Sequence, residues 1–335
     1  MRWAALVIGL CLCLTCSSNQ ARAAEQWLDF KGGTGPGQGK TVVLLSGDEE
    51  YRSEEALPQL AKILSTHHGF RCIVLFALNP EDGTIDPDNQ TNLVGWEHIA
   101  KADLLILGLR FREPTDEAMK YFAEYLDAGK PIIGLRTSTH SFNYSRNKTS
   151  PFAKYGWTSA EWKGGFGRQV LGETWVSHHG NHGSQSTRGV IVETEKSNPL
   201  LRGCEDIWGP TDVYGITTLP ETARPLVMGQ ILEGMKPTDK PIEGPKNNPM
   251  MPVAWTNAWV GPTGKPSRIF CTTMGAATDL ESEGLRRLIV NASYWAVGME
   301  DKIPERAKVD LVGEYKPTGF GFKGFVKGKK PADYK

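Results

Sequence analysis

The sequence has little cysteine, no net charge and no apolar run long enough to cross a membrane. Of its six cysteines, three lie beyond residue 23: Cys72, Cys204 and Cys271. Because they are odd in number and far apart in the sequence, they exclude a disulfide framework and a zinc-type cysteine pair. The net charge is zero, without the basic excess of a nucleic-acid-binding surface. We predict no nucleic-acid partner, and we find no internal repeat.

The first 23 residues have the pattern of a cleaved secretory signal peptide. Arg2 precedes an apolar run, Trp3–Leu14, and the small-residue site Ala21–Ala23 follows. The run is about a dozen residues, short of the ~20 that a bilayer demands. We predict export to the periplasm or the medium, with no membrane contact beyond the signal peptide. A lipid anchor at Cys16 is the alternative, although Thr15 is a poor neighbour for lipid attachment.

Alternating strand and helix patterns predict an α/β domain over residues 40–300. Continuous apolar runs bounded by turn residues are typical of buried parallel strands, and capped amphipathic segments between them are typical of helices. This alternation indicates a doubly wound sheet with right-handed crossovers. The predicted strands are 41–46, 70–76, 102–110 and 130–136, and the predicted helices are 53–69, 114–129 and 281–298.

The remaining segments are less regular. Residues 24–39 form a Gly-rich lead-in, and a long Trp- and Gly-rich insertion covers 141–187. Short apolar runs then return at 189–193, 211–216, 224–229, 251–256 and 267–273. A basic tail, 301–335, interleaves Gly with Phe, and we expect it to run extended over the surface.

Polar residues follow three of the predicted strands at the point where each strand ends. These are "GDEEYR" after the first, "RFRE" at the end of the third and "RTSTHSFNY" at the end of the fourth. Because ligands bind beyond the carboxyl ends of parallel strands, we expect these groups to meet at one edge. The alternative is a structural network in which Arg110 or Arg112 neutralises Glu49 or Glu50. The candidates for function here are Glu50, Arg110, Arg136, His140 and Tyr144.

The stretch "GETWVSHHGNHG" holds three of the seven histidines. Three interpretations stay open: a metal site, proton transfer or hydroxyl binding by one or two imidazoles, and a structural loop. Gly180 and Gly183 indicate a loop, in which the adjacent His178 and His179 diverge, and we favour His179 and His182. Metal candidates are His178, His179 and His182, with Glu173, Asp212 and His140 as extra ligands, and we assign no cofactor.

Six tryptophans between residues 157 and 259 lie among Gly, Asn, Thr and Asp. Flat rings beside polar groups suit the apolar face and hydroxyl rim of a sugar. The alternative is a set of core or lid anchors, since tryptophan buries a large area wherever it sits. Trp175 and Trp208 are the candidates for sugar contact, within the set Trp157, Trp162, Trp175, Trp208, Trp255 and Trp259.

Several motifs succeed one another between about Lys40 and Gly298. They are "KPIIGLRTSTHSFNY", "GGFGRQVLGETWVSHHGNHG", "NPLLRG", "DIWGPTDVYGI", "MPVAWT" and "SRIFCTTMG…LRRLIVNASYWAVG". This succession resembles the trehalose-utilisation (ThuA-like) family, which has the class I glutamine amidotransferase-like fold. The resemblance implies a flavodoxin-like, mostly parallel sheet and a link to carbohydrate metabolism. It also draws attention to Asp212 and Tyr214 in "PTDVYG".

One departure from glutamine amidotransferases excludes their chemistry here. Their nucleophilic cysteine follows the "PIxG" turn, where this chain has Arg136, and a permanently protonated guanidinium cannot attack a carbonyl. We therefore predict no glutaminase activity. Members of the ThuA-like family that this chain resembles tend to carry a histidine near this turn, and the nearest candidate in this chain is His140.

We predict an exported protein that performs acid/base chemistry on a sugar or keto-sugar. Glu50 or Glu173 would pair with His140 or His182 as proton donor and acceptor, and Arg110 and Arg136 would hold an oxyanion or substrate hydroxyls. Substrate contacts would come from Tyr144, Trp175, His179, Asp212 and Tyr214. Two alternatives stay open: a non-catalytic module that binds a carbohydrate or another partner, and a metal-assisted hydrolase that uses the histidines at 178–182.

Overall fold

Ten strands form a single sheet in the computed structural model, which describes residues 26–335; the predicted signal peptide lies outside the described residues. The strand order is β1-β3-β2-β4-β5-β10-β9-β8-β6-β7. The strands are β1 (Trp27–Phe30), β2 (Thr41–Gly47), β3 (Arg71–Phe76), β4 (Leu104–Leu109), β5 (Ile132–Leu135), β6 (Thr187–Ile191), β7 (Trp208–Gly209), β8 (Arg224–Ile231), β9 (Met251–Val260) and β10 (Pro266–Thr272).

Five neighbouring strands, β3, β2, β4, β5 and β10, run parallel. Their apolar runs are buried on both faces, as the continuous hydrophobic sequence of β2 and β4 requires. On one side β1 adds to β3 in antiparallel pairing, and on the other β9, β8, β6 and β7 continue the sheet antiparallel. The predicted mixed α/β fold with a large, mostly parallel sheet is confirmed.

Three α-helices cover the parallel strands: α1 (Ser53–His68), α2 (Asp116–Asp127) and α3 (Glu283–Ala296). Apolar residues of α1 and α3 pack in one core cluster, and those of α2 pack in the other. The Thr115 and Ser282 side chains accept hydrogen bonds from first-turn amides and so begin α2 and α3. Gly69, at φ 81°, ends α1. All three helices lie within two residues of the predicted bounds.

The structure differs from the sequence expectations in three segments, the first being β7, a short strand at Trp208–Gly209 that the sequence did not predict. The Gly-rich lead-in contributes a strand, β1, and the apolar run 211–216 contributes none, because its pairing is a single bridge between Tyr214 and His178. Cys72, Cys204 and Cys271 are buried free thiols.

Within residues 26–335, no helix combines the length and the apolar character that a membrane-crossing segment needs.

Candidate functional site

Arg136 occupies the turn that follows β5 and is almost fully buried. Its backbone is left-handed, at φ 42°, an unusual conformation for a residue with a side chain. The guanidinium lies 3.8 Å from the ring centroid of Tyr214 and 4.6 Å from that of Tyr51. It donates to the carbonyl of Thr273 at 2.7 Å and to Oδ1 of Asp212 at 2.8 Å. These contacts make Arg136 a buried counter-charge and leave it no free face for substrate.

Asp212 joins that buried arginine to two histidines. Nδ1 of His178 donates to Oδ2 of Asp212 at 2.7 Å, and Nδ1 of His182 donates to Oδ1 at 3.1 Å. Burial by itself would raise the pKa of Asp212, but Arg136 and the histidines outweigh it and hold the pKa well below its usual range. Asp212 is therefore an ionised carboxylate that orients both imidazoles.

His182 also faces a second carboxyl group. Its Nε2 lies 3.4 Å from Oε1 of Glu50, and Oε2 of Glu50 lies 3.5 Å from Nε of Arg110. Burial raises the pKa of Glu50, and Arg110 opposes this shift only in part. His182 thus stands between a carboxyl group that holds its proton more tightly than usual and one that releases it more readily.

Glu49 forms the structural network that the sequence offered as the alternative. Its carboxylate pairs with both Arg110 and Arg112, and Arg112 also donates to the carbonyls of Pro87 and Asn89. Arg112 is fully buried, so it stabilises the loop and is closed to substrate. Arg110 is slightly exposed, with 16% of its side-chain area accessible, and remains available to a ligand.

His140 lies on the same turn as Arg136 but has a different environment. It is buried, and only Nδ1 has a hydrogen-bond partner among the described residues, the hydroxyl of Thr139 at 3.1 Å. Burial, together with Arg110 and Arg136, lowers the pKa of His140 well below its usual value. The ring lies 4.9 Å from Phe111 and 5.8 Å from Trp175. His140 is therefore a neutral imidazole in an aromatic wall.

Aromatic side chains surround the polar groups. Trp157 lies between Phe111 and Trp175, at centroid distances of 5.3 and 6.1 Å, and Trp175 lies 5.8 Å from His178. The side chains of His178 and His182 remain 36% and 35% exposed. Polar groups at the end of an aromatic wall, open to solvent, are typical of a site for a small polar ligand.

Several predicted residues lie away from this group. Glu173 is buried, pairs with Arg168 at 2.5 Å and accepts amide hydrogens of the segment at 217–218. His179 turns away, with Nε2 bonded to the carbonyl of Lys246. Tyr144 is buried in the core cluster of α2, and Trp208 donates to the hydroxyl of Ser186. The structure places these side chains in structural contacts.

His178, His182 and Asp212 offer metal-ligand atoms that all lie within 4.8 Å of one another. Two imidazoles and a carboxylate are a donor set that zinc and related ions accept. The buried guanidinium of Arg136 on the same carboxylate works against a cation. His179, a predicted metal candidate, is not part of this group.

Sequence reasoning missed three aromatic contributors. Tyr51 follows the acids of "GDEEYR" and lies over Arg136, and Phe111 carries the guanidinium of Arg110 at 4.5 Å. Phe320 reaches the site from the C-terminal tail, 5.4 Å from His182. Tyr51 and Phe111 could have been predicted from their positions in the strand-end motifs. No feature of the sequence indicated that Phe320 would reach the site.

Comparisons with known proteins agree with the family resemblance that the order of the sequence motifs indicated. The sequence profile of the ThuA family, described as trehalose utilisation, matches residues 41–296. No curated protein matches the chain in sequence.

Among solved structures, a ThuA-like protein from Parabacteroides merdae shares 13% identity at a TM-score of 0.49, covering 85% of this chain and 97% of that one. One from Bacteroides uniformis shares 15% identity at a TM-score of 0.45, covering 79% and 93%. Both scores are low, so the profile match over most of the chain carries the assignment: the chain belongs to the ThuA family.

Proposed function

We propose that the chain is a carbohydrate-active enzyme that transfers protons on a sugar or keto-sugar. The observation that carries this proposal is His182, held between the ionised carboxylate of Asp212 and the carboxyl group of Glu50. A proton moves between Glu50 and Nε2 of His182 without any change in the Asp212 contact. A carboxyl group and an imidazole in such proximity can pass protons to and from a bound substrate.

The other polar groups complement this pair. Nδ1 of His178 donates to Asp212, so its Nε2 carries the lone pair when the ring is neutral and accepts a proton. Arg110 is the accessible cation, placed to stabilise negative charge that develops on a substrate oxygen. We assign His178 as base, the Glu50–His182 pair as acid, and Arg110 as the oxyanion partner.

The substrate class follows from the surroundings and from the family. Trp157, Trp175 and Phe111 offer flat apolar faces beside hydrogen-bonding groups, which suits a sugar ring. The family description, trehalose utilisation, supports a disaccharide. A ketone on one ring would acidify the neighbouring C–H bond, and proton abstraction there is the reaction that a base, an acid and an arginine perform together. Arg136 in place of a nucleophile supports the absence of glutaminase activity.

Proton exchange measured in heavy water tests the proposal. A keto-disaccharide incubated with the protein in D2O should incorporate deuterium beside the ketone, as followed by proton NMR. Glu50→Gln and His182→Ala should lower the rate at least ~100-fold, the range for loss of a general acid or base. A wild-type protein that binds the keto-sugar and returns it without exchange would support the non-catalytic module.

Glu113→Gln is the matched control. Glu113 is buried near the same sheet edge and accepts amide hydrogens of the 145–147 segment, but it does not contact the histidines. Its variant should lose stability while each folded molecule keeps its activity. Equal loss of exchange in Glu113→Gln and Glu50→Gln would argue against a chemical role for Glu50.

A metal-assisted hydrolase is the second candidate, favoured by the converging ligand atoms of His178, His182 and Asp212. Elemental mass spectrometry of the dialysed protein separates it from the first. About one transition metal per chain, lost in a His178/His182 double alanine variant, would establish the metal mechanism.

We also propose that the protein acts outside the cytoplasm, on the strength of its N-terminal sequence. N-terminal sequencing of the exported protein checks this, and a first residue near position 24 is expected.

A further inference from the structure

The C-terminal tail is bound to the molecule at several points. The Tyr315 hydroxyl donates to the carbonyl of Ala277 at 2.7 Å, and both the amide and the hydroxyl of Thr318 donate to the Glu55 carboxylate. Farther along, the carbonyl of Lys329 accepts the amide hydrogen of Ile85 at 2.7 Å. Buried partners of this kind hold a segment in place. The tail contains no strand and no α-helix, and these contacts attach it to the rest of the molecule.

Between those attachments the tail crosses the loop that carries Glu50. The amide of Gly321 donates to the carbonyl of Glu50 at 2.8 Å, and the guanidinium of Arg52 donates to the carbonyl of Gly321 at 2.6 Å. Gly321 has φ 136°, a conformation that side chains rarely adopt. In the sequence "TGFGFKGF", this glycine stands between Phe320 and Phe322, at the point where the tail meets the loop.

Both of these phenylalanines face groups of the candidate site. The Phe320 ring lies 5.4 Å from His182 and 5.5 Å from Tyr51, and the Phe322 ring lies 4.9 Å from the guanidinium of Arg110. Phe322 is 59% exposed. The exposed Phe322 ring is therefore accessible to a ligand that binds beside Arg110.

The tail borders the site at His182, and Trp175 borders it at His178. Trp175 contacts His178, Phe320 contacts His182, and the two imidazole centroids are 4.7 Å apart. The two imidazoles thus contact aromatic side chains from two distant parts of the chain, which we call the first wall (Trp157 and Trp175) and the second wall (Phe320 and Phe322). The ThuA match ends at residue 296, so the second wall lies outside the matched region.

We propose that Phe320 and Phe322 form a sugar-binding wall that sets which carbohydrate this chain accepts. The inference rests on the proposed function, because it takes a sugar ring as the ligand. The rings would bind the apolar face of that ring while Arg110 and the imidazoles bind its hydroxyls. They are positioned for specificity and take no part in proton transfer.

The test compares Phe320→Ala and Phe322→Ala with Phe325→Ala, a matched control on the same segment whose ring has no contact with the site. Binding of a keto-disaccharide and of its parent disaccharide is measured by calorimetry, beside kcat and KM. Each of the first two variants should raise Kd and KM roughly tenfold with kcat little changed. Phe325→Ala should bind the sugar as tightly as the wild type does. Phe320→Tyr, which keeps an aromatic ring, should also bind it with an affinity near that of the wild type, in contrast to Phe320→Ala.

A second readout needs no turnover. Diethylpyrocarbonate modifies exposed imidazoles, so Phe320→Ala should speed modification of His182 relative to His179, and sugar should slow it in the wild type. Unchanged sugar affinity in both alanine variants, or equal loss in Phe325→Ala, overturns the proposal. Wild-type protein that binds sugar without turning it over defeats the proposed enzyme activity and leaves the binding wall intact. Wild-type protein that binds no sugar defeats both.

Discussion

At the scale of single residues, the buried pair of Arg136 and Asp212 holds the site together. Both side chains are at most 2% exposed, and each is the other's counter-charge inside the sheet edge. A buried ion left without its partner is far more costly than a surface ion, because no water replaces the lost contact. The two histidines depend on the same carboxylate for their orientation.

Asp212→Asn should therefore lower the free energy of unfolding by about 3–5 kcal/mol. It should also abolish proton exchange, because the amide no longer orients His178 and His182. Urea denaturation and the heavy-water assay measure the two effects. Asp301→Asn, at a solvent-exposed pair with Lys302, is the control and should stay within about 0.5 kcal/mol of the wild type. Equal stabilities of Asp212→Asn and the wild type would contradict the counter-charge role.

At the scale of elements, the turn after β5 is held by the turn at 167–171. Gly167 packs so closely that an added Cβ would lie 1.9 Å from the carbonyl of Thr139. Thr139 precedes His140, so the two turns share one tightly packed contact, and a side chain at 167 must displace the turn that carries His140 and Arg136.

Gly167→Ala should cost about 1–3 kcal/mol of stability, the usual range for overpacking. Catalytic activity per folded molecule should also fall, since the displaced turn shifts the aromatic wall. Gly33→Ala is the matched control, because its Cβ would meet only Ser65 O, at 3.9 Å. Thermal unfolding and sugar affinity are the measurements, and a Gly167→Ala variant with wild-type affinity would show that the turns are independent.

At the scale of the whole molecule, His68 ties the first helix to the end of the chain. Its Nε2 donates to the carbonyl of Lys308 at 2.7 Å, so its Nδ1 accepts from the Tyr294 hydroxyl at 2.9 Å. Burial lowers the pKa of His68 to about 4. The folded protein therefore requires the neutral ring, whereas the unfolded chain binds a proton below its ordinary pKa of 6.5. The stability that His68 contributes is complete above pH 6.5 and is lost as the pH falls towards 4.

His68→Phe should be less stable than the wild type by about 1–3 kcal/mol at pH 7, with Tyr294 and Lys308 left unbonded. The difference should shrink between pH 6.5 and pH 4.5, because only the wild type takes up this proton on unfolding. Urea titrations at several pH values measure it, and the other titrating groups cancel because both proteins carry them. A constant difference between His68→Phe and the wild type at every pH would refute the linkage.

The local sequence determined most of the fold and part of the site. Buried strands such as β2 and β4 are continuous apolar runs, and the helices carry capping residues and glycine stops, so each element is readable from its own residues. The grouping of Glu50, Arg110, Arg136 and His140 at one edge followed as well, because parallel strands end together. β1, β7 and the run at 211–216 departed from this reading, since their pairing depends on partners distant in sequence.

Only the tertiary structure decided which polar residues meet. Glu173 and His182 are both polar residues of one loop, yet one pairs with Arg168 inside the protein and the other faces Glu50. Likewise, His178 and His179 are adjacent and point to different partners. The tail carries no sequence signal for its approach to the site. Phe320 lies beside His182 because its neighbours Thr318 and Gly321 are hydrogen-bonded to Glu55 and Arg52, at sequence separations of 263 and 269 residues. Whether a segment forms a strand or a helix depends mainly on its own residues. The partner of a polar side chain depends on contacts between segments that are far apart in the chain.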